Sequence, residues 1–206
     1  MNTLGIIKLS YSNLKSLCYS LDSLNISYNI LHNANEIQHF DKIILPGTSS
    51  FKVTIDELRN KSFDKAIFQH VKQDRYLLGI CVGMQLLFSR GQEGGEAAGL
   101  DLIKGSVIPL KNYRENNKTF HIGWNDLNIN NKIKLLENIN EKENFYFVHS
   151  YHCELEENIE FSKTFFNDQD IIAVVNKNKI FGIQFHPEKS HIPGKKILKN
   201  FLDLKC

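Results

Sequence analysis

The chain has 206 residues, 42% of them hydrophobic and 23% charged, with a formal net charge of +2. These values are ordinary for a soluble globule with one α/β domain, and so small a charge argues against nucleic acid or an anionic membrane as partner. No uncharged apolar span is long enough to cross a bilayer and no signal peptide is read; four widely spaced cysteines, Cys18, Cys81, Cys153 and Cys206, fit free thiols in a reducing cytoplasm better than disulfides or a zinc site.

In chain order, residues 4–9 read as a first strand. Residues 13–24 follow as a helix, with Leu14, Leu17, Leu21 and Leu24 at helical spacing. A short strand at 27–31 and another at 42–45 come next, the latter ending at Pro46-Gly47. Strand, helix and strand at this spacing predict a parallel sheet with crossover helices. Helices are expected at 53–59 and 63–72. The apolar run 77–80 then leads into Cys81, followed by a second run that reads as an amphipathic helix. Residues 91–99 are glycine-rich and read as a loop. Strands are expected at 106–110, 120–122, 145–149, 159–166, 171–175 and 180–185, and a closing helix at 194–204, with Ile197, Leu198, Phe201 and Leu202 as its apolar face. The Asn/Lys-rich stretches at 128–134 and 137–144 read as solvated loops.

The stretch Leu77-Leu78-Gly79-Ile80-Cys81-Val82-Gly83-Met84-Gln85 carries the chemistry. Glycines two residues to either side of Cys81 make it a cysteine version of the nucleophile elbow, in which a strand turns sharply into a helix. The strand and helix pack too closely there for side chains. The positive end of the helix favours thiolate. An ordinary core cysteine would not require both glycines.

A nucleophilic thiol needs a base and an orienting group. The apolar run Phe181-Gly182-Ile183-Gln184-Phe185 ends in His186-Pro187-Glu188. Pro187 biases His186 toward an extended conformation, and two residues along an extended chain return to one face, so Glu188 can reach the imidazole. Cys81, His186 and Glu188 then form a thiol, base and carboxylate in series. Cys81, His186 and Gly47 all lie just past predicted strand ends, where ligands bind in such sheets.

The elbow and the Phe185-His186-Pro187-Glu188-Lys189-Ser190 stretch together resemble the class I (triad) glutamine amidotransferases. The stretches His121-Ile122-Gly123-Trp124-Asn125 and Tyr146-Phe147-Val148-His149-Ser150-Tyr151, with Gly83-Met84-Gln85-Leu86-Leu87-Phe88, narrow the likeness to the glutaminase subunits of imidazole glycerol phosphate synthase. The resemblance implies a three-layer, flavodoxin-like fold over 1–206 as one domain, a mixed but mostly parallel sheet flanked by helices. It implies glutamine hydrolysis through a Cys81 thioester, without cofactor or metal. Ammonia would pass to a (β/α)8 cyclase in a heterodimer serving histidine biosynthesis. A second copy of such a subunit, serving amidation of a surface-glycan sugar, is the alternative within this class. A non-catalytic module on the same scaffold is a third reading, opposed by the intact Cys81, His186 and Glu188.

The same resemblance assigns further roles. A tetrahedral oxyanion needs two aligned N–H donors, for which Val82 and either Gly47 or Thr48 stand. Gln85 would contact the backbone of substrate glutamine, Glu93 its ammonium, and His149, Ser150 and Tyr151 its carboxylate. Trp124, Tyr146 and Lys189 would line the contact with the cyclase. Two stretches depart from the family pattern. Where it shows Pro-Gly-Val-Gly-x-Phe, this chain has Thr48 and Ser49 after Gly47. Where it shows Asp-Tyr-Gly-x-Gly-Asn, only Asn13 remains of residues 8–13. Fewer glycines there reduce the freedom to flip a peptide bond, so weak basal activity and altered activation are expected.

Overall fold

Continuous apolar runs become the inner strands of one twisted sheet, because a parallel strand covered on both faces has no solvent side to fill with polar residues. The computed structural model describes residues 4–47, 49–111, 119–130 and 132–205. Its elements are β1 (Leu4–Ile7), α1 (Lys15–Asp22), β2 (Tyr28–Leu31), β3 (Lys42–Gly47), α2 (Phe51–Asn60), α3 (Phe63–Lys72), β4 (Tyr76–Cys81) and α4 (Val82–Gln85). After these come β5 (Phe88–Gly91), β6 (Ala97–Ala98), β7 (Ile103–Pro109), β8 (His121–Asn125), β9 (Phe145–His149), β10 (Tyr151–Leu155), β11 (Glu160–Phe166), β12 (Gln169–Lys177), β13 (Ile180–Ile183) and α5 (His191–Asp203).

Seven strands form the central sheet in the order β11-β12-β13-β4-β3-β1-β2. From β2 to β13 the pairing is parallel; β12 and β11 add antiparallel strands at one edge. The fold is therefore the expected mixed, mostly parallel sheet flanked by helices. Every residue of β1, β3, β4 and β13 is buried. Helix α1 packs with α5, and α2 with α3. Ile55 and Leu58 of α2 and Ile197 and Phe201 of α5 are fully buried, each worth about 1.5–3 kcal/mol relative to exposure. Lys42 is buried as well. Its ammonium is satisfied by the carbonyls of Leu202 and Leu204 at the end of α5.

A smaller sheet, β10-β7-β5-β6, and the ribbon β8-β9 stand beside the main sheet in the strand pairing. The ribbon pairs the two branch-specific stretches with each other: His121 faces His149 and Trp124 faces Tyr146.

Three expectations need correction. The helix after Cys81 is a single turn and is not amphipathic, since every residue from Val82 to Phe88 is buried. With no solvent face to present, the chain leaves the turn at once and enters β5. The glycine-rich segment 91–99 is not all loop, because β5 ends at Gly91 and β6 occupies Ala97–Ala98. Tyr151–Leu155, for which no strand is expected, forms β10 by pairing with β7.

Candidate active site

The sheet order decides the site. Strand β4 lies between β3 and β13, with Gly47 paired to Cys81 and Gly182 to Gly79. Their carboxyl ends therefore bring Gly47, Cys81 and the segment leading to His186 to one edge. Cys81 has φ 55° and ψ −116°, a backbone conformation that costs a non-glycine residue free energy and is held by its surroundings. The glycines make that possible. A Cβ on Gly83 would overlap the Leu45 carbonyl oxygen, and one on Gly79 would come 2.5 Å from the Gly83 carbonyl oxygen. One on Gly47 would come 2.5 Å from the Gly83 nitrogen. β3, β4 and the turn after Cys81 are thus in backbone-to-backbone contact.

His186 is extended, at φ −96° and ψ 102°, as Pro187 requires. Glu188 reaches it differently from the expected extended alternation: Pro187–Lys189 forms a single 3-10 turn, which swings the carboxylate back to accept from His186 Nδ1 at 2.8 Å. Burial works against a charged imidazole here. The negative charge and hydrogen bonding of Cys81, with those of Glu188, outweigh it and push His186 up to about 10. The arrangement therefore holds a proton on the base beside the sulfur. Backbone bonds fix the base in place: His186 N–H donates to the Tyr146 carbonyl at 2.9 Å, and Ser190 Oγ accepts from Tyr146 N–H at 3.0 Å.

A cleft of about 460 Å³ opens over the sulfur. Gly47, Ser49, Cys81, Val82, Gln85, Glu93, His149, Ser150, Tyr151, His186 and Lys189 line it. Glu188 stands behind His186, outside the lining. A nucleophile, a base, an orienting carboxylate and a cleft are the parts of an acyl-transfer site.

The glutamine amidotransferase class-I family matches residues 6–204. The chain belongs to the class I glutamine amidotransferases. Like other members of that family, this amidotransferase uses a cysteine nucleophile. It is 39% identical to the imidazole glycerol phosphate synthase subunit HisH of Caldanaerobacter subterraneus subsp. tengcongensis, covering 98% of this chain and 99% of the relative. To the HisH subunit of Chlorobaculum tepidum it is 37% identical, over 93% of this chain and 94% of the relative. Among solved structures, PurLQS of Thermotoga maritima superposes with a TM-score of 0.77 at 17% identity, covering 98% of this chain and 97% of that one. The glutaminase domain of Trypanosoma brucei CTPS gives 0.64 at 16% identity, over 97% and 92%. These two establish the fold alone.

Within the amidotransferase cleft the expected residues take unequal positions. Gln85 is buried; its Nε2 donates to the Tyr151 carbonyl at 3.1 Å and to Gln184 Oε1 at 3.0 Å. Its Oε1 has no partner among the described residues. Glu93 lines the cleft and also accepts, through Oε2, the N–H of Phe51 that opens α2. His149 turns both ring nitrogens to protein, Nδ1 to the Tyr151 carbonyl at 2.8 Å and Nε2 to His121 Nδ1 at 3.0 Å. Only the chain around it is left to meet a ligand. Thr48 lies outside the described residues. Residues 8–13 do not line the cleft. Ser12 closes that loop on Leu9, and Ser10 hydrogen-bonds Glu57 of α2 at 2.8 Å.

Trp124 and Tyr146 lie outside the cleft and meet edge-on at 5.4 Å. Lys189 joins the two regions, lining the cleft and placing its ammonium 5.4 Å from the Tyr146 ring centroid. Trp124, 46% exposed, stacks on His191 at 5.0 Å, and Ile122 beside it is 60% exposed. Neither reads as core. Sequence reasoning missed Gln184, which is fully buried and donates Nε2 to Cys81 Sγ at 3.7 Å. The signal was a polar residue inside the apolar run 180–185, where burial demands a partner.

Proposed function

We propose that this amidotransferase is the glutaminase subunit of imidazole glycerol phosphate synthase, acting in the cytoplasm as a heterodimer with a (β/α)8 cyclase. The observation that carries the branch is the match to HisH subunits at 37–39% identity over nearly the full length of both chains. The glycan-amidation reading is not favoured by these relatives, and the non-catalytic reading is opposed by the assembled Cys81–His186–Glu188 site.

The geometry supports the following course. Glutamine enters the cleft with its ammonium toward Glu93 and its carboxylate toward the chain at 149–151. Gln85 Oε1 accepts from the substrate. Cys81 Sγ attacks the side-chain amide carbon, and the carbonyl oxygen becomes an anion held by the Val82 N–H and a peptide N–H after Gly47. Because α4 is one turn long, its dipole is small, and these individual donors carry the stabilisation. His186 gives its proton to the departing nitrogen, the C–N bond breaks, and ammonia leaves a glutamyl thioester. Neutral His186 then takes a proton from water as the water attacks the thioester carbon; the C–S bond breaks, glutamate leaves, and the Cys81 thiolate is restored beside protonated His186. Glu188 holds the imidazole in orientation throughout.

Trp124, Tyr146 and Lys189 form the face on which the cyclase docks, with Lys189 between that face and the cleft. An exposed tryptophan backed by a second aromatic and a cation is a composition that favours interface hot spots. The test is glutamate production by the chain alone, with a histidine-pathway cyclase, and with cyclase plus its acceptor. Strong stimulation only in the last case is expected. No stimulation by any cyclase would overturn the branch assignment.

A further inference from the structure

A continuous hydrogen-bonded chain runs from the nucleophile to the outer ribbon. It starts with Gln184 Nε2 on Cys81 Sγ, passes through Gln184 Oε1 to Gln85 Nε2, and reaches the Tyr151 carbonyl. That carbonyl also takes His149 Nδ1, whose ring passes the chain through Nε2 to His121 Nδ1. From there His121 Nε2 meets Asn125 Oδ1 at 2.8 Å, and Asn125 Nδ2 donates to the Phe165 carbonyl of β11 at 3.1 Å. Gln184, Gln85, His149 and His121 are all buried.

The hydrogen-bonded chain has a direction. The Tyr151 carbonyl only accepts, so His149 carries its proton on Nδ1 and offers a lone pair at Nε2. His121 must then hold its proton on Nδ1, which leaves a lone pair at Nε2. With both rings neutral, Asn125 can meet that lone pair only by turning its NH2 group toward it and giving up Phe165. Keeping Phe165 requires a third N–H on the two rings, hence one positive charge. Burial holds His149 down, at about 3, and also lowers His121. The Asn125 amide therefore decides whether His121 is anchored, and His121 holds the free nitrogen, Nε2, of the His149 ring.

An apolar ring would fill the His121 site equally well, since Phe147 and Phe166 stack on its two faces at 4.5 and 4.1 Å. Side chains alternate along β8. His121 is buried and Asn125 half-buried, whereas Ile122 and Trp124 between them are exposed. One short strand thus carries the outer aromatic face and the polar chain to the cleft. We propose that His121 and Asn125 are positioning residues for glutamine hydrolysis: they fix the ring of His149 and, through the Tyr151 carbonyl, place Gln85 and Gln184 against Cys81. This deepens the glutaminase reading and rests on it.

The test uses the full chain, ¹⁵N-labelled at histidine, and its complex with the cyclase. His121→Phe keeps the ring stack and removes both nitrogens; Asn125→Leu keeps the ring and removes the amide. Long-range ¹H–¹⁵N spectra read the His149 ring, expected as Nδ1–H throughout, with its Nε2 resonance moved downfield where the bond from His121 is lost, most in His121→Phe. Glutamine kcat/KM is expected to fall about tenfold or more in His121→Phe, as for misplaced groups elsewhere, and less in Asn125→Leu. An unchanged Nε2 resonance overturns the proposal, and so does a shifted one with kcat/KM within twofold, since the hydrogen-bonded chain would then only stabilise the fold. Should His121→Phe fail to fold, the half-buried Asn125 decides alone. If the unaltered complex hydrolyses no glutamine, the glutaminase reading fails, while the Nε2 resonance still shows whether His121 and Asn125 hold His149.

Discussion

Glu188 reaches His186 within one 3-10 turn, its Oε1 2.8 Å from Nδ1, and the same imidazole also interacts with the Cys81 side chain. The imidazole and the carboxylate, the proposed base and its orienting group, therefore come from a single short segment. Removing His186 should be nearly as damaging to glutamine turnover as removing the nucleophile, whereas Glu188→Gln should cost less, because it leaves the imidazole present. Alkylation of Cys81 in His186→Ala, followed by peptide mass spectrometry, should be slower at neutral pH than in the unaltered chain. An unchanged pH profile of labelling would sink the pairing.

Cys81→Ala and Cys81→Ser should abolish glutamine hydrolysis in the complex, by several orders of magnitude. The fold should remain, since the side chain is small and its contact with Gln184 is a long one at 3.7 Å. Ammonia release above about a tenth of the original rate would remove Cys81 from the role of nucleophile.

Gly83→Ala tests the elbow itself. The added methyl would have to displace the Leu45 backbone, which is held in β3 between two paired strands. Destabilisation of about 3 kcal/mol or more is expected, the upper range for overpacking a close-fitting site. Denaturant unfolding measures it; a change under about 1 kcal/mol would mean the contact gives way easily.

Stability should peak near neutral pH. Burial lowers His70 from its ordinary 6.5 to about 4 and His149 to about 3, so both are neutral in the folded chain. Below 6.5 the unfolded chain takes up protons that the folded one does not, and stability falls with pH, by about 1.4 kcal/mol per unit for each histidine. His186 has the opposite sign. Burial opposes its charge, but Cys81 and Glu188 raise it to about 10, so its contribution is full below 6.5 and fades as pH rises toward 10. Thermal midpoints from pH 4 to 10 check this; a flat profile between 7 and 5 would contradict the two buried neutral rings.

Ser49 lines the cleft two residues past Gly47. If peptide freedom there limits formation of the oxyanion site, Ser49→Gly should raise partner-stimulated turnover while basal turnover stays low. A misaligned donor costs about two to three orders of magnitude in rate. High glutamate production by the isolated chain would show that the donors are already aligned.

The parallel strands, the elbow and its glycines, and the candidates for nucleophile, base and carboxylate were legible in the sequence alone. These are encoded locally: buried strands need unbroken apolar runs, a backbone contact needs glycine, and His-Pro-Glu begins within four residues of the end of β13. Tertiary structure decided what depends on neighbours distant in the chain. The run after Cys81 has helical spacing, yet it makes one turn, because α2, β3 and β13 crowd it on every side and leave it no solvent face. Tyr151–Leu155 carries no strong strand pattern of its own and becomes β10 only by pairing with β7. Gln184 and His121 are ordinary polar residues in their own segments. What gives them partners is the sheet order, which sets Gln184 beside Cys81 across 103 positions and His121 beside His149 across 28.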